Sequence, residues 1–426
     1  MSPSHRPFRR VLAGVAALML ALGMTAFGAT AASAAPPVDI AILPGAPTEP
    51  YDLVEYDGLM YFAAYNGSDY VLYTFDGTTS TEVVGGGDTP GTNVRSLSVY
   101  NGKLYFVGYN GIDSLVYSWD GTVFDELSGG DPTPTSPASF AEYNGKLFFE
   151  GYNGSNYGLY SWDGSVFDEI TGGGDPFVED AYSLTVYDGL LYFATWNGSN
   201  YVLYSWDGAN FDEISGGGDP APVDLYDLYV HDGTLYFAGY DGATWWLYSW
   251  DGTDFAIVSG GGDPAPTDAE DFITFNGALY FSGDDGSDEF LYSWDGTNFA
   301  KIIGGSGSAP TPDDPRSFVV YNGVLYFDAD GSTSDTLHSW DGSIFTVYGP
   351  PPFDMSNSLV YKGVLYFNGE SPSGQDTIEN LWSLRPAAVL ADTGFTAGVP
   401  IGLAVLLLVA GLSAVLVRAR AAHSES

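Results

Sequence analysis

From Tyr51 to Arg385 the chain alternates short runs rich in aromatic and β-branched residues with Asn-Gly or Asp-Gly pairs. One stretch shows the pattern. Ser96–Tyr100, Lys103–Tyr109, Tyr117–Trp119 with the residues before it, and Val123–Leu127 are four such runs. Asn101-Gly102, Asn110-Gly111 and Asp120-Gly121 separate them. Asn-Gly and Asp-Gly between alternating runs favour tight hairpins, because those turns need positive φ at their centre. Three such turns and a longer Gly/Pro link over Gly129–Pro137 predict a four-stranded antiparallel meander. Its strands are called a to d in chain order.

The meander recurs. The string aromatic-x-Gly-x-hydrophobic-aromatic-Phe, or a close variant, places its glycine at Gly58, Gly102, Gly145, Gly189, Gly233, Gly277, Gly323 and Gly363, in steps of 44, 43, 44, 44, 44, 46 and 40. A second string close to Leu-Tyr-Ser-Trp-Asp-Gly ends at Gly77, Gly121, Gly164, Gly208, Gly252, Gly296 and Gly342, and decays in the eighth copy to Leu381-Trp382-Ser383-Leu384-Arg385-Pro386. A unit of this size cannot bury its faces alone, so neighbours must stack. Repeated four-stranded meanders do this as a β-propeller. The expected fold is all-β: an eight-bladed β-propeller of four-stranded antiparallel blades over residues 35–385. The eighth repeat supplies only a, b and c, while Val38–Leu43 followed by Pro44–Pro50 reads as a d strand and its link. An N-terminal outer strand should therefore close the ring. The units resemble kelch-type blades, and also bacterial repeats built on Leu-Trp-x-x-Asp-Gly-Thr. They depart from kelch at Val107-Gly108-Tyr109, where one glycine stands in place of a doublet.

Both ends read as addresses. His5, Arg6, Arg9 and Arg10 precede an apolar run from Val11 to about Phe27, then Ala32-Ser33-Ala34. That order predicts a signal peptide over 1–34, cleaved between Ala34 and Ala35. At the other end, after a short linker at 386–389, come Leu390-Ala391-Asp392-Thr393-Gly394, an apolar stretch over 395–417 and a tail at 418–426 with Arg418 and Arg420. About 20 apolar residues span a bilayer as a helix, and trailing cations hold the tail inside. The triplet resembles the LPXTG-like cell-wall sorting signal of Gram-positive bacteria, in the Leu-Ala-x-Thr-Gly form used by a sortase class of actinobacteria. That resemblance implies cleavage after Thr393 by a sortase, and covalent attachment of Thr393 to peptidoglycan. Without processing, the same span is a single-pass membrane anchor. Both readings put the propeller outside the cell.

Charge then narrows the partners. Residues 35–393 carry 53 acids against seven cations, a formal charge of −46. Nucleic acid and anionic lipid are excluded as partners, because their recognition needs clustered Lys and Arg. The chain has no cysteine, so it carries neither a disulfide framework nor a thiolate metal site.

Catalytic chemistry finds few candidates. His231 stands in the slot of Tyr56 and Tyr100, and His338 in that of Tyr117, so both read as packing aromatics. The seven cations, Arg95, Lys103, Lys146, Lys301, Arg316, Lys362 and Arg385, are scattered along the chain. Trp119, Trp162, Trp206, Trp250, Trp294 and Trp340 recur once per unit and read as inter-blade packing. Asp52, Ser96, Ser139, Ser183, Asp227, Asp271, Ser317 and Asn357 recur six before each marker glycine and should ring the channel mouth, as scaffold hydrogen bonds or as ligand contacts. The Asn-Gly-Ser strings at Asn66, Asn153 and Asn197 match a glycosylation sequon and equally match turns.

One position breaks the symmetry. Strand b ends on Tyr65, Tyr109, Tyr152, Trp196 and Tyr240 in five repeats, then on Asp284, Asp330 and Glu370. The aromatics are candidate ligand platforms for sugar rings, or cross-strand packing partners such as Tyr65 on Tyr70. Asp284, Asp285 and Asp288, with Asp328, Asp330 and Asp335, lie in oxygen-rich turns at alternate spacing that suit calcium, though neither string matches the twelve-residue EF-hand loop, or are solvated turn carboxylates. Calcium is thus the one cofactor that the residues suggest. The expected protein is a monomeric, wall-anchored, non-catalytic propeller that binds or adheres to a glycan or protein ligand. The alternatives are a surface hydrolase or lyase on this scaffold, and a structural wall component that gathers cations.

Overall fold

Each repeat folds as the antiparallel meander that its turn residues favour. The computed structural model describes residues 38–387 apart from 89–90, 176–178, 331–334, 350–352 and 374–375. The expected signal segment, its Ala34/Ala35 cleavage point, the motif Leu390–Gly394, the span 395–417 and the basic tail lie outside the described residues. Among the described residues, no helix is long and apolar enough to cross a membrane.

In the second repeat Thr92–Tyr100, Lys103–Tyr109, Ser114–Trp119 and Val123–Glu126 hydrogen-bond in that order. Strand a begins four residues before the Ser96 expected from the sequence, and the reason lies in its backbone. Register slips twice, between Thr92 and Arg95 and between Arg95 and Ser98. Asn93 and Ser96 occupy the slips with φ of 50° and 55°. Each slip is a β-bulge, and its extra residue breaks the two-residue alternation by which a strand is recognised. Glu49/Asp52, Ser136/Ser139, Asp180/Ser183, Asp268/Asp271, Asp314/Ser317 and Asp354/Asn357 repeat the same left-handed pair.

The turns are of two kinds. At the a–b turn Asn101 and Gly102 both take positive φ, 45° and 73°, as a two-residue type I′ turn requires. At the b–c turn only Gly111 does, and the Asn110 side-chain oxygen accepts the N–H groups of Ile112 and Asp113 at 3.0 Å each. Asp120 does the same for Thr122 and Val123 at 2.9 Å. The expected tight hairpins are thus two-residue turns on one face, and longer side-chain-capped turns elsewhere.

The core is a chain of clusters, each shared by successive repeats. Tyr61 and Leu72 of the first repeat pack with Phe106 and Tyr117 of the second. The last cluster joins Met60, Phe62 and Phe75 of the first repeat to Tyr361, Tyr366 and Leu381 of the last, so the ring closes. The tryptophans lie in these interfaces: Trp119 is 4% exposed, and its Nε1 donates to Tyr61 Oη in the preceding repeat at 3.3 Å. Links between repeats run over them. A Cβ on Gly85 would stand 2.3 Å from the Trp119 ring, so only glycine passes there. The next two residues, Gly86 and Gly87, pair in parallel with Val123 and Phe124, adding a short strand outside the meander.

In six of the eight repeats a tyrosine at the end of strand a ties the repeat to the next; His231 and Phe275 hold the position in the other two. Tyr56 Oη donates to the carbonyl of Gly102 at 3.1 Å, Tyr100 to Gly145 at 2.6 Å, Tyr143 to Gly189 at 3.1 Å and Tyr187 to Gly233 at 3.0 Å. Tyr321 reaches Gly363 at 2.7 Å, and Tyr361 returns to Gly58 at 2.8 Å. Closure thus uses the contact made elsewhere around the ring.

Val38–Ile42 pairs antiparallel with Asp376–Pro386, Val38 opposite Pro386 and Ile42 opposite Trp382. It is the outer strand of the last sheet, whose other strands are Phe353–Tyr361 and Val364–Ser373. Leu43 continues into the closing cluster, and Val38 and Ile40 pack in the one before it. Deleting residues 38–43 should lower the melting temperature by more than about 5 °C, since each buried aliphatic side chain is worth about 1.5–3 kcal/mol. A melt within a degree or two of the intact chain would show that the ring does not need this strand.

Candidate functional site

Strand b ends where strand a begins, so b ends, b–c turns and inter-repeat links share one face of the propeller. Three positions lie side by side on that face within each repeat. They are the b-end residue, the first residue of strand c opposite it, and the strand a residue before the second bulge.

In the first, fourth and fifth repeats all three are aromatic. Tyr65 packs on Tyr70 at 5.5 Å between ring centres, and Tyr70 on Tyr51 at 5.4 Å. Trp196, Tyr201 and Tyr182 follow at 5.2 and 5.4 Å, and Tyr240, Trp245 and Tyr226 at 5.3 and 5.1 Å. The inner ring is tied to the neighbouring repeat: Tyr51 Oη donates to the Val94 carbonyl at 2.7 Å, and Tyr182 Oη to that of Leu225 at 2.8 Å. In the third repeat Tyr152 packs on Tyr157 at 5.1 Å, with Ala138 at the inner position. The second differs. Tyr109 faces Ser114 and has no ring partner there. It lines an open groove of about 700 Å³ with Asp88, Thr92, Asn110, Tyr117 and Glu126. All five sequence-selected aromatics are half-buried.

The next repeats keep the triad and change its chemistry. In the sixth it is Asp284, Glu289 and Glu270. Glu289 is pushed up to about 7 by burial, by a hydrogen bond to Asp314, and by Glu270 and Asp284 beside it. Glu270 is raised by burial and by Asp271, Asp227, Asp314 and Asp268. In the seventh repeat the triad is Asp330, Asp335 and Arg316. Arg316 Nη1 meets Asp314 at 2.7 Å, and Nη2 hydrogen-bonds Asp335. Scattered in sequence, this cation sits among four carboxylates in space, those of Asp314, Asp328, Asp335 and Asp354. Asp330 is raised by its hydrogen bond to Asp335.

The two acidic strings selected from sequence have different fates. Asp284 accepts the Gly286 amide, and Asp285 accepts those of Ser287 and Asp288 while pairing with Lys301 at 2.8 Å. Those oxygens serve their own turn. Asp328 and Asp335 converge instead, with Asp354 of the eighth repeat as a third member. Nothing in the spacing singles out Asp354. A signal for Asp328 did exist: it fills a strand b position held by Ala63, Val107, Ala194 and Ala238 elsewhere. Ser282 and Asn368 break the same position in the flanking repeats. All three side chains are buried, and among the described residues Ser282 Oγ and Asn368 Oδ1 lack hydrogen-bond partners, while Asp328 has only the Met355 amide and Arg316 near it. Glu150 stands there in the third repeat, raised to about 7 by burial and by Asp180.

The channel residues bond to one another. Asp52 accepts the Ser96 amide, Asp227 that of Asp271 at 3.2 Å, Asp271 that of Ser317 at 2.8 Å, and Asn357 that of Asp52 at 3.3 Å. Asp227, Asp271 and Ser317 line a channel cavity of about 270 Å³ with Tyr229, Phe272 and Phe318. Both described histidines are packed. His231 Nδ1 lies 2.9 Å from Thr274 Oγ1, and His338 stacks on Phe327 at 5.7 Å. Burial lowers the pKa of each.

No protein-family model and no curated protein sequence matches the chain. Solved structures resemble it in fold. The β-propeller domain of the Trilobed protease from Pyrococcus furiosus is 14% identical at a TM-score of 0.46, over 72% of this chain and 100% of that one. The extracellular domain of a hybrid two-component system from B. thetaiotaomicron is 14% identical at 0.42, over 79% and 51%. A prolyl endopeptidase is 9% identical at 0.45, over 76% and 54%. The chain thus spans about half the length of the latter two.

The carboxylate chemistry of this face is testable by pH. Folded Glu289 holds its proton to about pH 7, whereas an ordinary glutamate releases it from about 4.5. The folded state binds the extra proton, so this group lowers stability as pH rises through that window. Glu289→Gln keeps a donor for Asp314 and removes the titration. It should raise the melting temperature at pH 7.5 and leave it unchanged near pH 4.5. An equal change at both values would show that Glu289 does not titrate in that window.

Proposed function

We propose that this chain is an extracellular, wall-anchored β-propeller of eight blades that binds a neutral glycan without turning it over. Its b–c face is the binding surface. One observation carries the reading: Tyr109 lacks the ring partner that its counterparts have and lines an open groove with Asn110, Asp88 and Glu126. A half-buried ring offers the apolar C–H face of a sugar a platform, while amide and carboxylate oxygens around it accept hydroxyls. The charge of −46 disfavours anionic polymers, which leaves neutral chains and cationic protein patches as partners. Packed, neutral histidines support binding over hydrolysis. Eight shared clusters, one for each pair of neighbouring repeats, support the blade count.

Two experiments test the two halves of this proposal. On a glycan array, Tyr109→Ala in the full chain should weaken binding at least tenfold while moving the melting temperature by under about 2 °C. Tyr152→Ala should instead lose stability, because its ring packs on Tyr157. Undiminished binding by Tyr109→Ala overturns the groove as the site. For the anchor, Thr393→Ala should move the protein from the muramidase-released fraction to the detergent-extracted one. Unchanged fractionation would mean that the apolar span alone holds it.

A further inference from the structure

The seventh repeat carries a second site, with different chemistry and no dependence on glycan binding. One oxygen each from Asp328, Asp335 and Asp354 lies within 4.8 Å of the other two. A cation bonded to oxygens at about 2.3–2.6 Å spans that spacing. Asp328 is fully buried at 0% exposure; among the described residues the Met355 amide approaches it, but neither oxygen reaches a well-formed hydrogen bond. An unsatisfied buried carboxylate is costly, so its presence at the floor of a carboxylate cluster calls for a positive partner.

The partner present is incomplete. Arg316 Nη2 bonds Asp335 and stands 3.4 Å from Asp328 and 3.9 Å from Asp354. It occupies the centre of the three carboxylates without hydrogen-bonding the buried one. With Asp314 on Nη1, four carboxylates surround a single positive charge. The Arg316 side chain is 33% exposed, so it can leave for solvent without unpacking the core.

We propose that Asp328, Asp335 and Asp354 form a binding site for one hard divalent cation of the calcium class, with Arg316 as its built-in competitor. Three carboxylates from the b strand, the b–c turn and the next repeat's strand a converge on the point that Nη2 holds. A dication there neutralises more charge, and it bonds directly the Asp328 oxygens that the guanidinium approaches only to 3.4 Å. Calcium suits the spread of the oxygens better than magnesium, which demands near-ideal octahedral geometry at about 2.0–2.1 Å. The ion would tie the seventh repeat to the eighth next to the closing interface.

The test uses the full chain stripped with EDTA and titrated with Ca²⁺, read by calorimetry and by melting temperature. Arg316→Met keeps the length of the side chain and removes its charge. It should bind one Ca²⁺ at least tenfold more tightly than the unmodified protein does, because the competitor is gone. Asp354→Asn, at an exposed position, should abolish that site in both backgrounds. Asp285→Asn, in the turn held by Lys301, should change nothing. Mg²⁺ at equal concentration should give a smaller rise in melting temperature. Two results overturn the proposal: Arg316→Met binding no more tightly than the parent, or Asp354→Asn retaining the bound ion. Either would show that calcium meets only the diffuse charge of the surface. Should Arg316→Met fail to fold, Asp354→Asn against the parent still decides the question.

Discussion

The tyrosine hydroxyl that crosses from one repeat to a glycine carbonyl of the next recurs in six of the eight repeats and constrains how successive repeats meet. Each such bond is worth only about 1 kcal/mol. Its weight lies in repetition, because a fixed contact between successive units fixes the angle between them. Tyr361 reaching Gly58 makes the last unit meet the first by the rule that relates Tyr56 to Gly102. The rule lapses in the fifth and sixth repeats, where His231 and Phe275 stand in the tyrosine position. His231 turns its Nδ1 to Thr274, and Phe275, with no hydroxyl, packs on Tyr280 at 5.3 Å. Tryptophans over glycine links reinforce the same interfaces from outside, so ring angle and core are one constraint.

That constraint reaches into the channel through the backbone of strand a. Two bulges in each strand a except that of the fifth repeat, which has one, put residues such as Asp271 and Ser317 at φ of 55° and 57°, a region that Asp and Asn tolerate better than most side chains. The strain is offset locally, since the carboxylate at one bulge accepts the amide at the next repeat's bulge. A ring of polar residues in a propeller channel invites a ligand reading, yet here much of it is consumed by the scaffold. The opposite holds for the b–c face. There the strand ends are regular and side chains are free to differ.

Sequence made the repeats plain because turn chemistry and aromatic spacing are local properties. Asn-Gly and Asp-Gly mark the turns, and the Val38–Leu43 run reads as a strand by its own composition. The front half of strand a was hidden, because two inserted residues scramble its alternation; Thr92–Arg95 shows no clear pattern. The Gly86–Gly87 strand was hidden as well, since glycine carries no β signal and its pairing is parallel to a segment 37 residues on. At the candidate site, Tyr65 and its counterparts were visible as a column of equivalent positions. Their partners Tyr51, Tyr182 and Tyr226 were not, because the bulges shift the count by which strand a aligns with strand b. Asp354 joins Asp328 only through contact between two blades, and no spacing along one chain expresses that.

The triads show how a repeat protein acquires a site without losing its fold. Tyr182, Tyr201 and Trp196 fill three adjacent surface positions with rings that need little beyond contact. Arg316, Asp335 and Asp330 fill the same three positions with charges, and charge imposes demands that rings do not. An aromatic triad closes on itself, as the 5.1–5.5 Å ring distances show. A charged triad at a half-buried position must be balanced, and the balance at Arg316 draws in Asp314, Asp328 and Asp354 from neighbouring positions. The triad of the sixth repeat contains no cation, Lys301 being paired with Asp285, and Glu289 and Glu270 are instead pushed toward holding protons. Recruitment across blades in one repeat and shared protons in the next are two solutions to the same excess of negative charge. Since most of the scaffold contacts sit on other residues, the triads can change from rings to charges from one repeat to the next without disturbing the ring.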